Sequence, residues 1–243
     1  MSYSIQNKVA LVTGANRGIG KSIVETFLSH GADKVYLAVR NPESTKDLEA
    51  KFGGKVTTLR ADISDPESIK RLAQDAPDVD ILVNNAGVME LGAILGEDAG
   101  ASLARQLEVN VFGLQRIASA FADILAGRHG ALVQLNSIAS IKSFPNLAAY
   151  SASKAASYSL TQGLRHELAG KGVSVLSVHP GPIDTEMGAA AGFEGTPVSV
   201  VAEGIVKSLA AGDFHLFPDE MAKQFEAAYQ GFSDAIVTAN LSE

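Results

Sequence analysis

Short apolar runs alternate along the chain with longer segments of helical spacing. Val9–Val12, Val35–Val39, Val56–Leu59, Ile81–Val83, Ala131–Leu135 and Val173–Val178 are brief, rich in β-branched residues and continuous rather than alternating. Strands buried on both faces have this pattern. His215–Phe217 is a weaker last strand. Between them, Ile19–His30, Ser64–Gln74, Ala101–Ala126, Ala152–Ala169 and Val198–Leu209 carry helical periodicity. The second of these opens Ser-Asp-Pro-Glu, with proline near the first turn where its missing N–H costs nothing. The alternation predicts an α/β fold: a doubly wound, Rossmann-like parallel sheet with helices on both faces. No linker or composition break interrupts the 243 residues, so a single domain over 1–243 is expected.

Composition narrows the function classes. Hydrophobic residues make up 46% and charged residues 19%, which argues against low-complexity disorder. The net charge of −7, with Lys and Arg dispersed, disfavours nucleic acid as a partner, because phosphate-backbone binding needs clustered cations. With no cysteine, disulfides, thiolate metal sites and cysteine nucleophiles are excluded. Met1–Asn7 is short and polar. No stretch approaches the ~18 uninterrupted apolar residues of a membrane span. A cytoplasmic protein without a membrane partner is the expectation.

The first strand runs into Thr13-Gly14-Ala15-Asn16-Arg17-Gly18-Ile19-Gly20, and a helix follows. A pyrophosphate needs close backbone approach at a helix N-terminus, where unpaired N–H groups and the helix dipole favour an anion. Glycines permit that approach. They would equally serve a plain tight turn, but the strand before and the helix after favour a dinucleotide site. The second strand ends Val39-Arg40-Asn41-Pro42, with no carboxylate to hold a ribose 2′-hydroxyl. Arg40, and Arg17 inside the turn, are suited to a 2′-phosphate instead. NADP(H) is therefore the expected cofactor.

At this point the chain resembles a short-chain dehydrogenase/reductase. The glycine turn matches that family's T-G-x-x-x-G-x-G, Asn84-Asn85-Ala86-Gly87 its N-N-A-G, and Tyr150-Ser151-Ala152-Ser153-Lys154 its Y-x-x-x-K. Ser137 lies thirteen positions before the tyrosine, a usual family spacing, and Asn110 falls where the family carries a helix asparagine. Pro180-Gly181 with Thr185 matches the segment after the sixth strand, and Asp62 the acidic residue that contacts adenine. The ordered set spans about residues 8 to 190. The final fifty-odd residues carry no family motif.

The resemblance implies hydride transfer between a nicotinamide and a carbonyl or alcohol, with Asn110, Ser137, Tyr150 and Lys154 catalytic. Tyr150 would be the acid/base. A free tyrosine, with a pKa of about 10, exchanges protons poorly near neutrality, so a cation is needed nearby. Lys154, one helical turn on, should lower the Tyr150 pKa. Ser137 would hold the substrate oxygen. The family also assigns Lys154 to the nicotinamide ribose, and Asn110 to a water in a proton relay. The expected cofactor contacts are Gly14, Asn16, Arg17, Gly18, Ile19, Gly20, Arg40, Asp62, Asn84, Ala86, Gly87, Tyr150, Lys154, Pro180, Gly181, Ile183 and Thr185. For Asn84, a structural brace is an equally good reading.

The expected substrate pocket draws on Val88–Leu95, Ile138–Leu147 and Pro182–Pro197. It is apolar, with Met89, Ile141, Phe144, Met187 and Phe193, and points to a hydrophobic ketone, aldehyde or secondary alcohol as the small-molecule partner. A lid is expected near 186–198. His30, His129, His166, His179 and His215 show no paired spacing, so no metal is expected. No G-x-S-x-G or G-x-x-x-x-G-K-[ST] occurs, which disfavours a serine hydrolase or a P-loop NTPase. A non-catalytic NADP-binding sensor or scaffold is the alternative, and the complete Ser137/Tyr150/Lys154 set weighs against it. By resemblance, Ala101–Ala126 and Ala152–Ala169 would join copies of the chain into a homo-oligomer, a tetramer or dimer.

Overall fold

The computed structural model describes residues 3–190, 192 and 194–238. In chain order the elements are β1 (Val9–Thr13), α1 (Gly18–Ser29), β2 (Lys34–Val39), α2 (Lys46–Phe52), β3 (Val56–Arg60), α3 (Pro66–Asp75), β4 (Ile81–Asn84), α4 (Ala99–Leu107), α5 (Gly113–Gly127) and β5 (Ala131–Leu135). Then follow α6 (Ala148–Ala169), β6 (Ser174–Val178), α7 (Glu186–Ala190), α8 (Val198–Ala211), β7 (His215–Leu216) and α9 (Glu220–Phe232). The strands form one seven-stranded parallel sheet in the order β3-β2-β1-β4-β5-β6-β7. This is the doubly wound, Rossmann-like architecture that the apolar pattern predicts.

Continuous apolar strands work here because each side of the sheet is covered. Successive side chains point to opposite faces. On β1, Ala10 and Val12 join a core with Ile23, Val24 and Phe27 of α1 and Val201, Ile205 and Leu209 of α8. Val9 and Leu11 join the opposite core with Ile69 and Leu72 of α3 and Leu114, Ile117 and Phe121 of α5. Local chemistry places the helix starts. Asp65 caps α3 by accepting from the Glu67 N–H at 3.0 Å, with Pro66 in the first turn.

α4 and α5 are one helical run joined by a π-turn at Glu108–Phe112. The run Ala99–Gly127 is long and apolar enough on average to cross a membrane. Its apolar side chains Leu114, Ile117, Phe121 and Leu125 are buried in the core. Three helices have no counterpart among the helical segments read from the sequence: α2, α7 and α9. α6 begins at Ala148 rather than Ala152, which brings Tyr150 inside the helix.

The chain puts its chemistry at the carboxyl ends of the strands, where open parallel sheets bind ligands. The glycine turn follows β1, Arg40 follows β2, Asp62 β3, Asn85–Gly87 β4, Ser137 β5 and Pro180 β6.

Candidate active site

The glycine turn is shaped by backbone demands. Gly14 has φ +64°, a left-handed conformation that favours glycine. A Cβ on Gly20 would stand 2.2 Å from the Gly14 carbonyl oxygen, so α1 could not close on the turn with any other residue there. The first-turn N–H groups of α1 have no partner within the helix, and no side chain caps them. Open amides beside a glycine cradle fit the diphosphate of a dinucleotide.

Thr13 fastens this turn to the next strand. Its hydroxyl accepts from the Asn85 and Ala86 N–H groups, each at 2.9 Å. Asn85 returns the contact, donating through Nδ2 to the Thr13 carbonyl at 2.9 Å. Asn84 is buried and donates to Gln134 Oε1 at 2.8 Å, which makes it a brace between β4 and β5. Asn84 also accepts from the Thr13 hydroxyl at 3.2 Å, while Asn85, absent from the expected contact set, reaches further along the glycine turn to the Gly14 carbonyl at 3.3 Å.

Arg40 and Asp62 lie beside one another at the ends of β2 and β3, where Ala61 N–H donates to the Val39 carbonyl at 2.9 Å. Hydrogen bonds from the Ser64 hydroxyl (2.6 Å) and backbone (3.0 Å) hold the Asp62 carboxyl below its usual range, with Arg40 adding to the effect. Among the described residues Arg40 makes no ion pair. Arg17 pairs instead with Glu186 of α7, so the second cation of the expected pair is turned toward that helix. An open groove of about 610 Å³ runs between α1 and α7, with Gly18, Lys21, Thr185 and Glu186 on its walls. A Cβ on Gly18 would meet Thr185 Cγ2 at 3.2 Å, which shows how closely the segment after Pro180-Gly181 lies on the turn. Ile183 is buried in the same segment and pairs with Thr196.

Tyr150, Lys154, Ser137 and Asn110 converge on the other side. The Lys154 ammonium lies 5.8 Å from the Tyr150 ring centre and donates to the Leu135 carbonyl at 2.8 Å. It is 6% exposed, and burial pushes its pKa down to about 8. Burial also pushes the Tyr150 phenol up to about 12, with the Ser137 hydroxyl acting weakly the other way. The expected lowering of Tyr150 by Lys154 does not appear in this geometry, where burial dominates and only Ser137 acts to lower it. Ser137 accepts from the Ala139 N–H at 3.1 Å and donates to the Pro180 carbonyl at 3.4 Å.

Asn110 stands in the π-turn, and such turns recur at functional sites. It accepts from Val88 N–H and donates to the Val88 carbonyl, both at 2.9 Å, and donates to Ser153 Oγ at 2.9 Å. Gly87 joins the two halves of the site. A Cβ there would lie 3.1 Å from Asn110 Oδ1 and 3.7 Å from Lys154 Nζ.

The family model for short chain dehydrogenases matches residues 8–193. The chain belongs to that family. An uncharacterised oxidoreductase of Staphylococcus saprophyticus is 38% identical over 192 residues, covering 75% of this chain and 81% of the relative. An NADPH-dependent 3-dehydrocapnine reductase of Ornithobacterium rhinotracheale is 34% identical over 201 residues, covering 78% and 70%. The crystal structure of a Burkholderia cenocepacia short chain dehydrogenase in complex with NADP superposes with TM-score 0.88 at 34% identity, covering 98% of this chain and all of that one.

Within this short-chain dehydrogenase the expected pocket residues are only partly assembled. Ile141 and Phe144 pack against a small cluster of Ile138, Phe217 and Ala222, with Phe225 and Tyr229 of α9 alongside. Met89 is half-buried after β4, and Met187 is exposed on α7; both lie outside that cluster. Phe193 lies outside the described residues. The share taken by α9 has no counterpart in the sequence reading, because this helix carries no family motif and buries little of itself. His179 and His215, scattered in sequence, come together with ring centres 5.6 Å apart. Among the described residues no group of ligands fit to hold a metal is present.

Proposed function

We propose that this protein is an NADP(H)-dependent carbonyl reductase or alcohol dehydrogenase of a small apolar substrate, with Tyr150 as the acid/base. The observation that carries the reading is the tight space beside Gly87, where a Cβ would lie 3.1 Å from Asn110 Oδ1 and 3.7 Å from Lys154 Nζ. It ties the strand end beside the glycine turn to the helix that bears Tyr150. The nicotinamide, when bound, supplies or accepts the hydride.

The chain's own residues account for the rest. Ser137 holds the reacting oxygen, and Tyr150 gives it a proton in reduction or takes one in oxidation. A phenol pushed up to about 12 by burial holds its proton firmly near neutrality. It becomes an effective acid/base only when positive charge comes near, and Lys154 is the cation one helical turn away. Asn110, through Val88 and Ser153, holds the loop after β4 against the Tyr150 helix. Arg40, exposed and without an ion pair among the described residues, supports NADP over NAD, as do the NADP-bound neighbour and the NADPH-dependent relative. The Arg17–Glu186 pair between the glycine turn and α7 is consistent with residues 186–198 acting as a lid. We also read the chain as a homo-oligomer built on α4–α5 and α6.

The test is nicotinamide oxidation against a panel of apolar ketones and aldehydes, with NADPH and NADH in parallel. Turnover is expected with NADPH, and Arg40→Asp should erode its advantage over NADH by about tenfold or more, the scale of one charge-assisted phosphate contact. Equal efficiency with the two cofactors in the unaltered protein would overturn the cofactor assignment.

A further inference from the structure

Asp219 lies 38 residues beyond Gly181, in the stretch where no motif is legible, and is 3% exposed. Both of its carboxylate oxygens are held by backbone N–H groups. Oδ1 accepts from Ala222 at 3.0 Å and caps α9; Oδ2 accepts from Gly181 at 2.7 Å. The Gly181 N–H and the Pro180 carbonyl belong to one peptide unit. That carbonyl accepts from Ile138 N–H at 3.0 Å and from the Ser137 hydroxyl at 3.4 Å. One rigid peptide plane therefore links the buried carboxylate to the Ser137 hydroxyl.

We propose that Asp219 is a positioning residue for Ser137, acting through the Pro180–Gly181 peptide. The inference rests on the reading of Ser137 as the group that holds the reacting oxygen. A charge-assisted hydrogen bond at the N–H end fixes the plane and polarises the carbonyl at the other end. The carbonyl in turn takes the Ser137 proton in a long, weak hydrogen bond, which a substrate oxygen can displace. If the peptide turns, that proton is aimed elsewhere. Glycine is required at 181 for the same reason: a Cβ would stand 2.6 Å from Asp219 Oδ1. The arrangement gives the C-terminal region a place in the chemistry, because the cap of α9 and the brace of the active-site loop are one side chain.

The experiment is a double-mutant cycle on carbonyl reduction with Asp219→Asn, Ser137→Ala and the pair, reading kcat and the KM values for carbonyl and NADPH. Asp219→Asn is expected to lower kcat about tenfold or more, with little change in the KM for NADPH. That loss should vanish in the Ser137→Ala background. A merely structural role would lower the rate by the same factor in both backgrounds, and that result overturns the proposal. Asp219→Ser separates the two duties of the residue, since serine is a good helix cap but is too short to reach Gly181. It should keep α9 capped and the protein folded, with a lowered melting temperature from the freed Gly181 N–H, and still lose kcat; full kcat in a folded Asp219→Ser overturns the proposal as well. If Ser137→Ala slows turnover while Asp219→Asn does not, the inference fails and the reading of the site stands. If Ser137→Ala leaves turnover intact, the reading of Ser137 falls and takes this inference with it.

Discussion

Burial acts on single residues here with opposite signs for acids and bases. It lifts the Tyr150 phenol to about 12 and depresses Lys154 to about 8, because the charged form loses its water in each case. His179 shows the same cause beside the site, where its ring lies 3.3 Å from the Ser137 carbonyl. It is 0% exposed, stacked on Phe217 and hydrogen-bonded to Ser140 and Ser177, and its pKa falls to about 3. The unfolded chain takes up a proton on this residue near pH 6.5 and the folded chain only near 3. The unfolded state thus binds more protons between those values. Stability is complete above about 6.5 and is lost as pH falls toward 3. Denaturant unfolding across this window should show His179→Gln losing stability less steeply than the unaltered protein, by up to about 1.4 kcal/mol per pH unit. Equal slopes would mean that His179 is not kept neutral by the fold. Tyr150, Lys154 and Ser137 were legible because their spacing is local. Asp219 was not, because a lone aspartate near a helix start reads as a cap, and its second bond spans 38 residues.

Among the elements, the strands were the easiest to read. β1, β2 and β5 are short and buried on both faces, so the apolar run coincides with the strand to within a residue or two. β7, only two residues long, was correspondingly faint. α2 and α9 escaped for a different reason: each fully buries a single residue, Leu48 and Ala222, and the apolar row of α9 through Phe225 and Tyr229 is only partly covered. The π-turn of α4–α5 escaped because a shift in hydrogen-bond ladder leaves no mark on residue periodicity. That turn places Asn110 against Val88. Asn110→Asp keeps the shape but loses the two Nδ2 donations, to the Val88 carbonyl and Ser153. Urea unfolding should show a loss of about 1–3 kcal/mol, as for a buried polar pair left unsatisfied. A variant as stable as the original would show that this contact does not hold the turn.

At the scale of the whole molecule, the order of the strands does most of the functional work. It brings the ends of β1 and β4 together as neighbours, so that the glycine turn, Asn85–Gly87 and the Tyr150 helix meet at the carboxyl end of the sheet. It leaves α4–α5 and α6 with outward faces that carry Phe112, 52% exposed, and Leu160. If copies of the chain pair across these helices, light scattering should show an oligomer that Phe112→Glu shifts toward the monomer; a monomeric unaltered protein would contradict that assembly. Tyr150→Phe tests the chemistry of the site most directly. The substitution removes one oxygen from a half-buried side chain, so NADPH affinity by fluorescence titration should stay within a few-fold of the original while carbonyl reduction falls by about 10²-fold or more, the scale of a lost general acid. Near-original turnover in Tyr150→Phe would contradict the account.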